Sequence, residues 1–188
     1  DNEEQDISAK RRSYMPSHPG FDTSPRVAAD APYPPLEVNG PNHQIVRMLA
    51  FDLASDKSEM TSVTQYMYQG WALDRAFAGI ARTLERLAQV EMRHMQILGK
   101  LIRMLGGDPR YAALRRGRPV YWNGGMVSYS RSPKSMLLDS FHLEEAAIET
   151  YRRQIAVVPD EGVSITLKRI VLDEEVHVRL FEQYLRQL

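Results

Sequence analysis

The sequence predicts an all-α fold: a four-helix bundle of two antiparallel hairpins joined by a long crossover, with an extended N-terminal tail. Three observations lead there. Of eleven prolines, Pro16, Pro19, Pro25, Pro32, Pro34 and Pro35 crowd the first 40 residues. Beyond Pro41 lie four long stretches whose apolar residues recur every three or four positions, the period of an amphipathic helix. Gly106-Gly107-Asp108-Pro109 stops the second of them, and the 28 residues Gly106–Pro133 separate it from the third.

The segment 1–32 opens with Asp1-Asn2-Glu3-Glu4-Gln5-Asp6 and has few large apolar residues. Such a composition cannot bury enough surface to offset its ordering entropy. It is expected to be flexible or strapped onto a partner subunit, with Lys10-Arg11-Arg12 as solvated linker. The bundle is expected over 33–188. Its first helix should run from about Asn42 to Gly70 and its second from about Asp74 to Leu105. The third should run from about Pro133 to Val158 and the fourth from about Gly162 to the end. The remaining prolines, Pro109, Pro119, Pro133 and Pro159, are expected at helix ends. Short connections within each pair make each an antiparallel hairpin. The crossover carries Tyr111, Tyr121 and Trp122 and should pack these aromatics along the bundle.

Composition narrows the function. The chain has 188 residues, 24 Lys+Arg against 24 Asp+Glu, and no cysteine. A zero net charge argues against nucleic-acid binding through bulk positive charge and against a polybasic membrane anchor. No apolar run is long enough to span a bilayer. Without cysteine there are no disulfides, thiolate metal sites or thiol catalysis. Any redox chemistry must run through other ligands.

Those ligands interrupt the apolar seams. The second helix reads Phe77, Ile80, Leu84, Leu87, Glu91, His94, Leu98, Leu101, Leu105. The fourth reads Val163, Leu167, Ile170, Glu174, His177, Phe181, Tyr184, Leu188. The third places Glu144 among Leu137, Phe141, Ile148, Tyr151, Ile155 and Val158, and the first places Glu59 with Val63 and Tyr66. Glu-x-x-His sets both side chains on one face about one turn apart. One such pair is weak evidence; two, at seam positions and each with a lone Glu partner, are specific. The pattern repeats internally: a His follows the second Glu of each half by three, and a Tyr (Tyr66, Tyr151) follows the first Glu by seven. Four buried carboxylates are intolerable without cations. Two divalent ions neutralise them, and six inward ligands (Glu59, Glu91, His94, Glu144, Glu174, His177) suit a dinuclear site in a bundle core. Glu145, Glu149, Glu175 and His142 fall off the seam, and His18 and His43 lie in or near the tail. Tyr66 and Tyr151 are either plain core aromatics, partners of a ligand carboxylate or one-electron donors. Asp173 is placed to accept the outer N–H of His94, whereas the matching position before Glu91 is Val90, so the halves are chemically unequal.

On Glu59, Glu91-Met92-Arg93-His94, Glu144 and Glu174-Glu175-Val176-His177, the chain from Tyr33 to Leu188 resembles the ferritin-like superfamily. Tyr33-Pro34-Pro35-Leu36-Glu37-Val38 and Gln65-Tyr66-Met67-Tyr68-Gln69-Gly70-Trp71 resemble its manganese catalase branch, which includes spore-coat-associated catalase-like proteins. The resemblance implies a ferritin-like four-helix bundle holding two divalent metal ions, Mn or Fe. It implies Glu91 as a bridge, Glu59 and Glu144 as terminal ligands, and one histidine per metal. Glu174 is then either a second bridge or an acid–base group, and the catalytic candidates are Glu174, Tyr66 and Tyr151. The implied partners are hydrogen peroxide or dioxygen and further copies of the chain, in the cytoplasm or a spore. Consumption of hydrogen peroxide is the leading expectation. Ferroxidase or iron handling and a structural coat or assembly role are the alternatives.

Overall fold

A computed structural model describes residues 24–73 and 75–188. The chain forms α1 (His43–Ala54), α2 (Glu59–Ala72), α3 (Ala78–Met104), β1 (Ala112–Arg115), β2 (Arg118–Tyr121), α4 (Pro133–Val157) and α5 (Glu161–Leu185). α2 packs on α3 and α4 on α5, and the two hairpins close on one another as a four-helix bundle. The expected fold class is therefore the observed one. Among the described residues, no helix is long and apolar enough to cross a membrane.

Local chemistry sets the helix ends. Asn42 caps α1 by accepting from the backbone N–H groups of Gln44 and Ile45. Ser132 caps α4, with Pro133 in its first turn, and Asp160 caps α5 through the Val163 N–H. The expected single helix from Asn42 to Gly70 is instead two, broken at Ser55–Ser58. There the hydroxyls of Ser58 and Thr61 donate to the Ser55 carbonyl, at 2.7 and 2.8 Å, and Ser58 caps the new helix. Serine and threonine hydroxyls compete with helical bonding in this way, and an apolar period is blind to it. The break makes Glu59 the first residue of α2.

The crossover also differs from expectation. It contains a β-hairpin, with Ala112 paired to Tyr121 and Arg115 to Arg118. Arg116 and Gly117 form the two-residue turn, both at positive φ (51° and 76°), the geometry that matches the twist of the flanking strands. Pro119 lies in β2 rather than at a helix end. Trp122 packs on the bundle and donates from Nε1 to Thr61 Oγ1 at 2.9 Å. Tyr111, just ahead of β1, and Tyr121, at the end of β2, are 53% and 55% exposed and do not pack along the bundle as expected. Leu188, expected on the fourth seam, lies beyond the end of α5 and is exposed.

Residues 1–23, with Lys10-Arg11-Arg12 and His18, lie outside the described residues. Residues 24–42 contain no helix or strand and run along the bundle of their own chain. The Asn39 N–H donates to Asp160, and the Glu37 backbone lies so close to Gly162 that a Cβ there would fall on the Glu37 carbonyl. The core divides into two apolar clusters. One gathers Leu49, Leu53, Leu98, Leu101, Leu167 and Ile170; the other gathers Leu84, Leu87, Leu137, Leu180 and Phe181. In α3 and α5 the Glu-x-x-His pairs lie between the residues given to the two clusters, so the polar centre is sealed from both ends.

Candidate metal centre

The six seam residues meet in the interior. Glu59 enters from the start of α2, Glu91 and His94 from α3, Glu144 from α4, and Glu174 and His177 from α5; all are at most 4% exposed. His94 Nδ1 lies 2.9 Å from Glu91 Oε2, 3.2 Å from Glu174 Oε1 and 3.4 Å from Glu59 Oε2. His177 Nδ1 lies 2.9 Å from Glu91 Oε1, 3.0 Å from Glu174 Oε2 and 3.4 Å from Glu144 Oε1. The cluster is thus two four-residue sets, Glu59-Glu91-His94-Glu174 and Glu91-Glu144-Glu174-His177, each with its ligand atoms within 4.8 Å of one another. Glu91 and Glu174 belong to both, and each turns one oxygen to either imidazole.

The donors fit cations. His177 Nε2 lies 2.9 Å from the Val27 carbonyl, which can only accept, so Nε2 carries the proton. The neutral ring then points the Nδ1 lone pair at three carboxylates, an arrangement that only a proton or a metal ion makes favourable. His177 Nδ1, Glu91 Oε1 and both Glu174 oxygens are buried without a hydrogen bond. Buried polar atoms in native folds are almost always satisfied, and these four are ones that cations would satisfy. In their absence the cluster holds protons. Burial pushes Glu59 up to about 7, against the pull of His94. Burial and the charge of Glu174 push Glu144 up to about 8. Burial opposes ionisation of Glu91 too, as does Glu144, but the two imidazoles, His177 above all, hold it below its ordinary value when they are protonated. Burial disfavours both imidazolium forms, yet Glu174 and Glu59 raise His94, and Glu91 and Glu144 raise His177, well above 6.5.

The outer partners complete the centre. Tyr151 of α4 donates to Glu59 Oε1, and Tyr66 of α2 donates to Glu144 Oε1, a reciprocal pair. Both tyrosine hydroxyls thus bond to a carboxylate of the cluster. His94 Nε2 lies 3.1 Å from Asp173 Oδ2, as the sequence implied, and 3.2 Å from the Tyr33 hydroxyl. Glu145, Glu149 and His142 are exposed, and Glu175 is one-third exposed and ion-paired to Arg152.

Two contributors were not read from the sequence. The Val27 carbonyl is backbone and has no sequence signature. Asp52 is buried, accepts from Gln154 Nε2 at 2.7 Å and keeps its other oxygen unpaired. Burial pushes it up to about 8. Its spacing of seven before Glu59 carried no signal, because the break at Ser55–Ser58 interrupts the helical period between them. Asp52 lines a passage with Lys57, Ser58, Ser62, Thr150 and Tyr151 that reaches Glu59, Glu144 and Glu174, with about 10 Å³ of free space. That is room for one water-sized molecule.

A helical bundle that brings four glutamates and two histidines together at its midline is a scaffold of the dinuclear carboxylate class. The chain belongs to the ferritin-like domain family, whose model matches residues 57–188. A bacterioferritin of Desulfovibrio desulfuricans is 28% identical over 128 residues, 66% of this chain and 66% of that protein. Among solved structures, the manganese catalase KatB of Anabaena superposes with a TM-score of 0.75 at 21% identity, covering 85% of this chain and 78% of that one. The bacterioferritin BfrA of Mycobacterium tuberculosis gives 0.65 at 20% identity, covering 79% and 87%. At these identities the structural likeness speaks for the fold.

Proposed function

We propose that the protein is a dinuclear non-haem oxidoreductase that consumes hydrogen peroxide. The carrying observation is the pair of inward imidazole nitrogens, each facing three carboxylates, with Glu91 and Glu174 shared between them. His94 and Glu59 would hold one divalent ion, His177 and Glu144 the other, with Glu91 and Glu174 between the two. Mn and Fe both suit an oxygen-rich site with two imidazoles. When bound, such ions would exchange two electrons with peroxide, so that one molecule is oxidised to dioxygen and another reduced to water.

The chain's own groups prepare that chemistry. Tyr151 and Tyr66 hold the terminal carboxylates Glu59 and Glu144 at one oxygen each. Asp173 and the Val27 carbonyl fix both imidazoles with Nδ1 inward. Glu174 and Glu144 border the passage and are placed to take and return protons at their carboxylate oxygens. The passage favours a small neutral substrate. Asp52 is held protonated near neutral pH, and the lining includes Lys57.

Ferroxidase activity is the second reading, favoured by the match to a bacterioferritin. Self-association accompanies either one, supported by Met92 and Met104, which are 42% and 41% exposed on α3. Reconstitution with Mn and Fe separately tests the proposal. Rapid oxygen evolution from peroxide is expected. Fe(II) oxidation with mineral loading, and no oxygen evolution with either metal, would replace it with the second reading. Failure to bind two metals per chain would leave only a structural role.

A further inference from the structure

The chain ahead of α1 crosses the outer side of both histidines. The Val27 carbonyl takes His177 Nε2 at 2.9 Å. Two residues on, the Ala29 N–H donates to Asp173 Oδ1 at 2.7 Å. The Tyr33 hydroxyl donates to Asp173 Oδ2 and lies 3.2 Å from His94 Nε2. Arg169, buried on α5, fastens this stretch from below. Its Nε donates to the Ala31 carbonyl at 2.7 Å, one terminal nitrogen to the Ala29 carbonyl at 3.1 Å, and the other pairs with Asp173 at 2.8 Å. The guanidinium groups of Arg169 and Arg93 lie 4.1 and 4.6 Å from the Tyr33 ring centroid.

An acceptor on the outer nitrogen of a ligating imidazole fixes its tautomer and ring orientation and raises its basicity. Here the acceptor for His177 is the segment's own backbone. The acceptor for His94 is an aspartate whose two oxygens are oriented by the segment through Ala29 and Tyr33. The undocked segment would leave the His177 N–H without this partner and Asp173 without two of its donors.

We propose that Val27–Tyr33 is a positioning element of the dinuclear centre: its docking sets the metal affinity of both halves, and bound metal in turn holds the segment down. Linkage makes the two effects reciprocal. This inference rests on the dinuclear centre proposed above. Tyr33→Phe removes one hydroxyl and leaves the aromatic packing. Ala29→Pro removes the N–H that donates to Asp173 and disturbs the segment without touching a helix.

The test is Co(II) titration of the full chain, followed by visible ligand-field absorption. Hydrogen exchange at Val27–Ala31 is measured with and without metal. Wild type should take up two Co(II). Tyr33→Phe should weaken one of the two by ~10-fold or more, and Ala29→Pro both, since loss of outer partners costs ~10–100-fold. The helix signal and melting of the metal-free variants should stay close to wild type. Exchange at Ala29 should slow when Co(II) binds. Equal affinities in all three proteins, or exchange at Ala29 that ignores metal, overturns the inference while the centre stands. No Co(II) uptake by wild type overturns the centre itself, and this inference with it.

Discussion

The inner and outer sides of the site differ in symmetry. On the inner side the two halves match: Tyr151 serves Glu59 as Tyr66 serves Glu144, and Glu91 and Glu174 each turn one oxygen to either imidazole. On the outer side they diverge, with an aspartate and a phenol behind His94 and a backbone carbonyl behind His177. The groups facing the would-be metals all come from α2–α5, so equivalent offsets in the two hairpins give equivalent places. The outer groups depend on a segment that occurs once, ahead of the bundle, and nothing in the other half can mirror it. The two halves can therefore be tuned unequally.

The largest test removes a shared carboxylate. Glu91→Gln should abolish tight binding of both metals, a loss beyond the ~10–100-fold of an outer partner, as metal-to-protein ratios by elemental analysis would show. Glu174→Gln sharpens the comparison. Loss of both metals makes Glu174 a second bridge; two retained metals with slowed peroxide turnover make it an acid–base group. One metal lost and one kept, for either variant, would break the inner symmetry.

A lesser effect isolates the outer side. Asp173→Asn keeps an acceptor near His94 but removes the charge. It should weaken the His94 half ~10–100-fold and the His177 half by less, through the segment that Asp173 anchors, read as unequal shifts of the two Co(II) sites in a titration.

Proton linkage treats both halves alike. In the metal-free protein Glu59 stands at about 7, and Glu144 and Asp52 at about 8, all raised by burial. The unfolded chain loses these protons first, so stability falls as pH rises from the ordinary carboxylate range through 8. His94 and His177 are raised as well, and their contribution, full below 6.5, is also lost on the alkaline side. The lowered carboxyls of Glu91 and Asp173 act oppositely, but only in acid, where falling pH costs their contribution. Metal must displace these protons, so its affinity rises with pH. Melting at about pH 5, 7 and 9 should show the metal-free protein weakening and the gap to the Mn-loaded protein widening. A gap that narrows toward high pH would contradict the assignment of these residues as ligands.

These differences explain what was legible in the sequence. Glu91, His94, Glu144, Glu174 and His177 stand out because charge in an apolar seam needs a reason, and the seam positions within α3 and α5, unlike Phe77 and Leu188 at their outer ends, are buried. Asp173 was legible because it precedes a ligand on a helix of known phase. The break at Ser55–Ser58 was not, because its cause is hydroxyls bonding to the Ser55 carbonyl. The Arg116-Gly117 hairpin was hidden by strands of four residues, too short to show alternation. Tyr33 was visible as a residue, but its place against His94 depends on Arg169 and Asp173, far away in sequence.

The smallest effect belongs to the paired tyrosines, and it is the most direct test of the inner symmetry. Tyr66→Phe and Tyr151→Phe each delete one hydroxyl donated to a terminal carboxylate. Two consequences oppose each other. The carboxylate loses a contact that orients it, which weakens binding. It also loses a donor that competes for its electron density, which strengthens its hold on a cation. The residue should stay within the ~1 kcal/mol of an ordinary hydrogen bond, at most about fivefold in affinity. Both tyrosines are buried, on α2 and α4, and each reaches across to the other helix. The two variants should therefore shift affinity in the same direction by the same amount, measured by competition with a chromogenic chelator. Unequal shifts would mean that the asymmetry imposed by the N-terminal segment at the histidines passes inward to the carboxylates. Asp52, which acts on Glu59 and Tyr151 once it ionises, would be the group to change next.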